Sequence, residues 1–198
     1  MSVNKNQYMT KNIVHSEVLD SLEIVIRYPQ EGDANAMCDY INKLSKEKTY
    51  ITWQGEKIKL EDEEKYLKEQ IERIKSKETV QLLLFVNNKL SGISSIDLRK
   101  RVNGHNGTFG ISIAKDQRGK GLGKLLMKLV LDEAVKNISK LKIITLEVFA
   151  ENMNAIKMYS KFGFKEYGRL PNGIKYKNRY VNEVLMYKMF KKKMMGEN

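Results

Sequence analysis

The chain of 198 residues holds one cysteine, two histidines, two prolines and one tryptophan. A lone thiol, Cys38, excludes an internal disulfide and any cysteine-rich metal site. His15 and His105 lie far apart in sequence, which leaves little material for a zinc centre or a Ser-His-Asp triad; no metal is expected. No apolar run approaches the ~20 residues that span a bilayer. Met1–Gln7 is polar and lacks the apolar stretch of an export signal. These absences predict a cytoplasmic protein with no membrane partner. No internal repeat or low-complexity linker divides the chain, so one domain is expected: residues 1–20 as a loosely held arm, 21–190 as the domain, and 191–198 as a basic tail with Lys191-Lys192-Lys193 in solvent.

Hydrophobic residues make up 41% of the chain, enough for a sizeable core, and the formal net charge is +12. Such a field attracts polyanions, which leaves RNA or the ribosome open as partners. Lysine is spread along the chain, however, and no aromatic-basic strip marks an RNA-reading surface. Cys38 sits among Ala36, Met37, Tyr40 and Ile41 on a predicted helix and reads as a buried structural thiol. His105 lies in Asn103-Gly104-His105-Asn106-Gly107, a turn sequence.

Leu22 to Tyr28 alternates as a strand, ended by Pro29 and Gly32-Asp33. Asp33 is placed to cap a helix running to about Lys46, with Ala36, Met37, Tyr40, Ile41 and Leu44 inward. Thr49 to Gly55 is loop and holds Trp53. A second helix is predicted over Leu60 to Lys77, with Tyr66, Leu67, Ile71 and Ile74 inward. Glu61 with Lys65, Glu64 with Lys68 and Glu69 with Arg73 are spaced as i, i+4 pairs. The cluster Glu61-Asp62-Glu63-Glu64 then reads as a helix-start surface. Val80–Val86 and Leu90–Leu98 flank Asn87-Asn88-Lys89 as a hairpin, and Thr108 to Ala114 adds a strand. Leu122, Leu125, Leu126, Leu129, Val130 and Ala134 mark one helical face, with Lys124, Lys128, Asp132 and Lys136 opposite. Leu141 to Phe149 is a strand. The last region, Lys165 to Phe190, reads as loop around Gly168, Pro171 and Gly173, then a strand over Val184 to Met189. The sum is an α/β domain, a mixed sheet with helices on its faces.

Between the Thr108 strand and the amphipathic helix lies Arg118-Gly119-Lys120-Gly121-Leu122-Gly123-Lys124. Glycines leave backbone N–H groups unobstructed and a helix start adds partial positive charge, so the junction suits a pyrophosphate or several phosphates. A Walker A loop needs Ser or Thr after Gly123-Lys124, where Leu125 stands. A dinucleotide fingerprint needs glycine at position 124 and a place at the start of a domain. Arg118, Gly121 and Gly123 satisfy Q/R-x-x-G-x-G/A. This resembles the pyrophosphate loop of the GNAT superfamily of N-acetyltransferases, which use acetyl-coenzyme A. Asn152-x-x-Ala155-Ile156-x-x-Tyr159-x-x-x-Gly163-Phe164 is similar to a second signature of that superfamily, in the expected order.

The resemblance implies a mostly antiparallel central sheet with helices on both faces. It implies that Ile111, Ser112 and Ile113 pair their backbone with the pantetheine arm, that Arg118, Gly119, Lys120, Gly121, Leu122, Gly123 and Lys124 hold the pyrophosphate, and that Asn152 touches the cofactor, its plain alternative being a helix cap. It also places the loop with Trp53 beside the acceptor. An amine of pKa near ~10 must lose a proton before it attacks a thioester, which at pH 7 costs about 4 kcal/mol; a base and a proton donor are therefore needed. Leu146-Glu147-Val148 resembles the strand of ribosomal-protein-alanine N-acetyltransferases that supplies the base, which assigns Glu147; alternation alone leaves open whether it faces solvent. Tyr159 is implied as the donor to the coenzyme A sulfur. Two departures stand out: Thr108-Phe109-Gly110 has no acidic residue, and Tyr180-Val181-Asn182-Glu183 replaces a Y-x-D pattern. The implied function is acetyl transfer by direct attack in a ternary complex. A protein N-terminal amine comes first as acceptor, with a protein lysine, a polyamine or an amino-sugar as alternatives. A non-catalytic acyl-CoA sensor or RNA-associated module is the rival. Oligomeric state stays open, a homodimer included.

Overall fold

The computed structural model describes residues 13–19 and 21–190. In chain order the elements are β1 (Ile13–Leu19), β2 (Leu22–Arg27), a single 3₁₀ turn (Glu31–Asp33), α1 (Ala34–Lys46), α2 (Leu60–Lys75), β3 (Thr79–Val86) and β4 (Lys89–Leu98). There follow β5 (Asn106–Ile113), α3 (Leu122–Asn137), β6 (Ile143–Phe149), α4 (Met153–Lys161), β7 (Lys165–Tyr176) and β8 (Arg179–Met189). The strands form one eight-stranded sheet in the order β1-β2-β3-β4-β5-β6-β8-β7. Only β5 and β6 run parallel; every other pair is antiparallel. The expected mixed, mostly antiparallel sheet is what forms. No helix among the described residues is long and apolar enough to cross a membrane.

β3 shows why both faces are covered. All eight of its residues are buried, and the pleat sends them alternately to two cores. Val80, Leu82, Leu84 and Val86 join α3 and α4, while Leu83 and Phe85 join α1 and α2. The α3 stripe follows the predicted period, with Leu122, Leu126, Val130 and Ala134 buried and Lys128 paired to Asp132 at 2.6 Å on the outer side. Asn87 and Asn88, at φ 47° and 61°, make the two-residue hairpin turn that twisted antiparallel strands favour.

Several expectations are corrected. Residues 13–19, placed in a loose arm, form edge strand β1 against β2; residues 1–12 and the tail 191–198 lie outside the described residues. Asp33 makes no side-chain cap for α1. Its carboxylate takes both prongs of the buried Arg27 guanidinium at 2.7 Å each and the Gln30 amide at 2.7 Å, because a buried guanidinium without a counter-charge would be costly. α2 is rotated from the predicted face: Glu63, Leu67 and Gln70 are buried, while Tyr66 stays exposed. Arg73 pairs not with Glu69 but with Asp97 at 2.9 Å, where Thr79 and Ser95 also donate at 2.8 Å. The region predicted as loop after Lys165 is the β7–β8 hairpin, with register shifts around Gly168 and between Leu170 and Ile174 that accommodate Pro171 and Gly173.

The feature that positions the site is a split between β5 and β6. Their ladder covers only Asn106–Thr108 against Ile143–Thr145, although both strands continue for several residues. At its base Gly107 is required. A Cβ there would stand 2.8 Å from Ile96 Cγ2 and 3.0 Å from Leu141 Cδ1, so any side chain would force those core side chains to shift beside the short ladder.

Candidate active site

Past the end of β5, Gly119 and Gly121 adopt φ 79° and 83°, a region that side-chain-bearing residues avoid. The amides of Lys124 and Leu125 turn back onto the Gly121 carbonyl at 2.9 and 3.1 Å. Those of residues 119–123 find no carbonyl partner among the described residues. A run of free amides at a helix start, beside the exposed Lys120 and Lys124, is an anion cradle. Leu122 buries its side chain in the core and anchors the helix start. Gly123 faces Ile113 and Met158, its Cβ position lying 3.5 Å from Ile113 Cγ1 and 3.9 Å from Met158 Sδ, at ordinary contact distance.

Arg118 sits differently from the sequence expectation. Its Nε donates to the Ile113 carbonyl at 2.9 Å and its Nη2 to Glu47 Oε2 at 2.6 Å. The side chain braces the loop against α1 instead of reaching into the cradle. Ile111, Ser112 and Ile113 are half-buried along the split. Ile111 and Ile113 pack towards α3 and α4, and the Ser112 hydroxyl meets Tyr40 Oη at 3.0 Å on the other face. Beyond Thr108, β5 has no ladder partner on its β6 side, so its backbone is open to an extended, amide-bearing ligand.

The two proposed proton-transfer groups lie on opposite faces of the sheet. In β6, Ile144, Leu146 and Val148 enter the core shared with α3 and α4, and Glu147 points the other way, exposed. That face also carries Phe149, whose ring stands 5.4 Å from Tyr50 and 5.3 Å from Tyr176. Glu147 therefore faces the α1–α2 loop, which holds Tyr50 and the exposed Trp53. Tyr159 is buried on the opposite face, edge-on to Phe109 at 5.8 Å. Its hydroxyl makes no hydrogen bond among the described residues, and burial pushes its pKa up to about 12. Asn152 caps α4, accepting from the Ala155 amide at 3.2 Å, and stays half-buried.

Sequence reasoning missed a second carboxylate. Glu183 on β8 pairs across from Phe149 and lies diagonal to Glu147; burial, then the Glu147 charge, raises its pKa. Its segment was noted as departing from Y-x-D, and the turn Lys177-Asn178 between Tyr176 and Arg179 was the available hairpin signal. Cys38 is buried, as expected, and bonded to Ile58 O and Asn42. Burial, then Glu63 and Asp39, pushes its thiol up, away from a nucleophile's range. Among the described residues no group of three potential metal ligands occurs.

The site thus combines free amides at a helix start with a strand edge left open where its ladder parts, in an α/β domain. The model of the Acetyltransferase (GNAT) family matches residues 41–164, more than half of the 198 residues, and the chain belongs to that family. A probable spermine N(1)-acetyltransferase of Bacillus subtilis subsp. natto is 41% identical over 58 residues, 29% of this chain and 38% of that protein; the match thus spans well under half of the relative's length. The crystal structure of a GNAT-family acetyltransferase from Streptococcus pneumoniae is 28% identical, with TM-score 0.79, covering 85% of this chain and 100% of that one. A ribosomal-protein-alanine N-acetyltransferase from Brucella melitensis shares the fold at 22% identity, with TM-score 0.72, covering 83% of this chain and 99% of that one.

Proposed function

We propose that this protein is an N-acetyltransferase that moves acetyl from acetyl-coenzyme A to a primary amine. The observation that carries this is the run of unpartnered amides at residues 119–123 beside the unpaired edge of β5. Those features fit the two ends of one carrier: a diphosphate for the amides and an extended amide-bearing arm for the strand. The bound carrier supplies an activated acyl thioester.

The chain's own groups divide the remaining work. Gly119–Gly123 amides hold charge, with Lys120 and Lys124 adding field; Ile111–Ile113 orient the arm. Glu147, open to the α1–α2 face, accepts the ammonium proton directly or through water. Tyr159, kept protonated by burial, supplies a proton to the departing sulfur. Asn152 fixes the start of α4 and so the height of Tyr159 in the split, leaving its own amide hydrogens free to donate.

A protein N-terminal amine is placed first as acceptor. Tyr50 and Trp53 stand exposed at the rim, a surface for a chain to lie across, and a +12 protein repels free polycations at long range. The Glu147–Glu183 pair favours a second acceptor class, a polyamine. The test is a panel of N-terminal peptides, lysine peptides, spermine and amino-sugars with acetyl-coenzyme A, following free thiol. Thiol release with at least one amine, reduced in Glu147→Gln while coenzyme A still binds, is expected. No thiol release with any amine, with no coenzyme A binding, overturns the reading.

A further inference from the structure

Glu47 and Lys48, where α1 ends, reach both arms of the split. On one side Glu47 holds Arg118 at 2.6 Å, and Arg118 in turn grips the last carbonyl of β5, Ile113, at 2.9 Å. On the other side Lys48, at φ 47°, accepts a hydrogen bond from Tyr176 Oη at 2.9 Å. Tyr176 packs on Phe149 of β6 and on Tyr50 of the α1–α2 loop, 5.3 and 5.5 Å between ring centres. Two consecutive residues thus bridge the place where the β5–β6 ladder is missing.

The loop that follows is pinned to α1 by a set of hydrogen bonds. Asn42 accepts from the Ile58 amide at 2.8 Å and donates to the Ile58 carbonyl at 3.0 Å. Ser45 donates to Glu56 O at 2.8 Å and accepts from the Gly55 amide at 2.9 Å. Gln54 donates to the carbonyls of Thr49 and Ile51 at 2.8 and 2.6 Å. Trp53, the chain's single tryptophan, rides on this loop.

Resting on the acetyltransferase reading, we propose that Glu47 and Arg118 are positioning residues. Their ion pair, with the Lys48–Tyr176 hydrogen bond, straps the two arms together and couples the 119–123 cradle to the α1–α2 loop. Arg118 acts through Glu47, not as a phosphate ligand. Coupling of this kind is reciprocal: what orders the cradle orders the acceptor side, and the reverse.

The experiment titrates the full chain with free coenzyme A. Calorimetry reads affinity, and acrylamide quenching of Trp53 reads the loop. In the parent, coenzyme A binding changes Trp53 quenching. Glu47→Gln and Arg118→Gln each weaken coenzyme A by about two- to fivefold, the span of an accessible ion pair. The double variant is no weaker than either single one, as for partners in one interaction. In both single variants and in Tyr176→Phe the Trp53 response is diminished although coenzyme A still saturates the protein. A parent that does not bind coenzyme A defeats the acetyltransferase reading itself. With binding intact, a Trp53 response absent in the parent or unchanged in Glu47→Gln overturns the strap. So does an additive double variant, or a loss in Arg118→Gln far beyond that in Glu47→Gln, which would make Arg118 a phosphate ligand.

Discussion

Replacing Gly121 by alanine separates the geometry of the cradle from its ligand. Gly121 sits at φ 83°, and no atom lies within 4 Å of where its Cβ would stand, so the substitution meets no wall and its cost is confined to the backbone. An L-residue held in the left-handed region costs roughly 1–2 kcal/mol. The liganded loop must keep its amides aimed at the anion, so the complex bears that cost in full. The free loop can relax. Whatever is not lost from stability is therefore lost from coenzyme A affinity. Gly32→Ala is the control: its Cβ also has nothing within 4 Å and its φ is not positive, so it reports the gain of roughly 0.4–1 kcal/mol from a less flexible unfolded chain. Measured against that control, the losses of Gly121→Ala in urea unfolding and in coenzyme A calorimetry sum to roughly 1–2 kcal/mol, a combined factor of about 5 to 30. Each kcal/mol that falls on stability lowers Tm by about 2–4 °C at this chain length. If Gly121→Ala matches Gly32→Ala in both measurements, the bound loop does not hold the conformation described.

Tyr159→Phe keeps the ring against Phe109 and removes only the hydroxyl; turnover should fall by roughly a hundredfold, the size of a lost general acid, with coenzyme A affinity retained. Unchanged turnover would remove Tyr159 from the chemistry. The same variant changes alkaline stability. With its hydroxyl at about 12 in the folded chain against ~10 unfolded, the folded state holds the extra proton between those values, so stability falls as pH rises through that window. Tyr28 and Tyr40 are raised too and act in the same direction. Unfolding measured across the window should show a shallower fall in Tyr159→Phe, and identical slopes would refute the burial. Glu147→Gln should lower the pKa of Glu183, since Glu147 raises it; carboxyl NMR that finds Glu183 unmoved would show that the two charges do not meet.

What was legible depended on how each element meets water. α3 has one wet and one dry face, so its period was plain. β3, dry on both faces, read as an unbroken apolar run. β1 and β7 gave no such pattern because they are sheet edges, and most of their side chains remain exposed; Pro171 in β7 also looks like a breaker until its edge position and register shifts are known. The loop's turn was readable because two of its glycines, Gly119 and Gly121, take up the positive φ that glycine favours. The Arg118 side-chain contact was not readable because its partner Glu47 is 71 positions away, and nothing local announces it. The facing of Glu147 was undecidable from alternation because Phe149 shares its face; Phe149 is apolar there because Tyr50 and Tyr176, both distant in sequence, pack on it. Glu63 and Gln70 could not be foreseen as buried, since tertiary packing, not helical period, chose that side of α2.

A sheet whose middle opens, with Glu147 on one side of the opening and Tyr159 on the other, has two doors. If the transfer runs as proposed, the modified amine would leave by the door it entered and the spent thiol by the opposite one, so neither product would block the other's exit. Bulk on the acceptor would then be limited by what can lie against the α1–α2 rim.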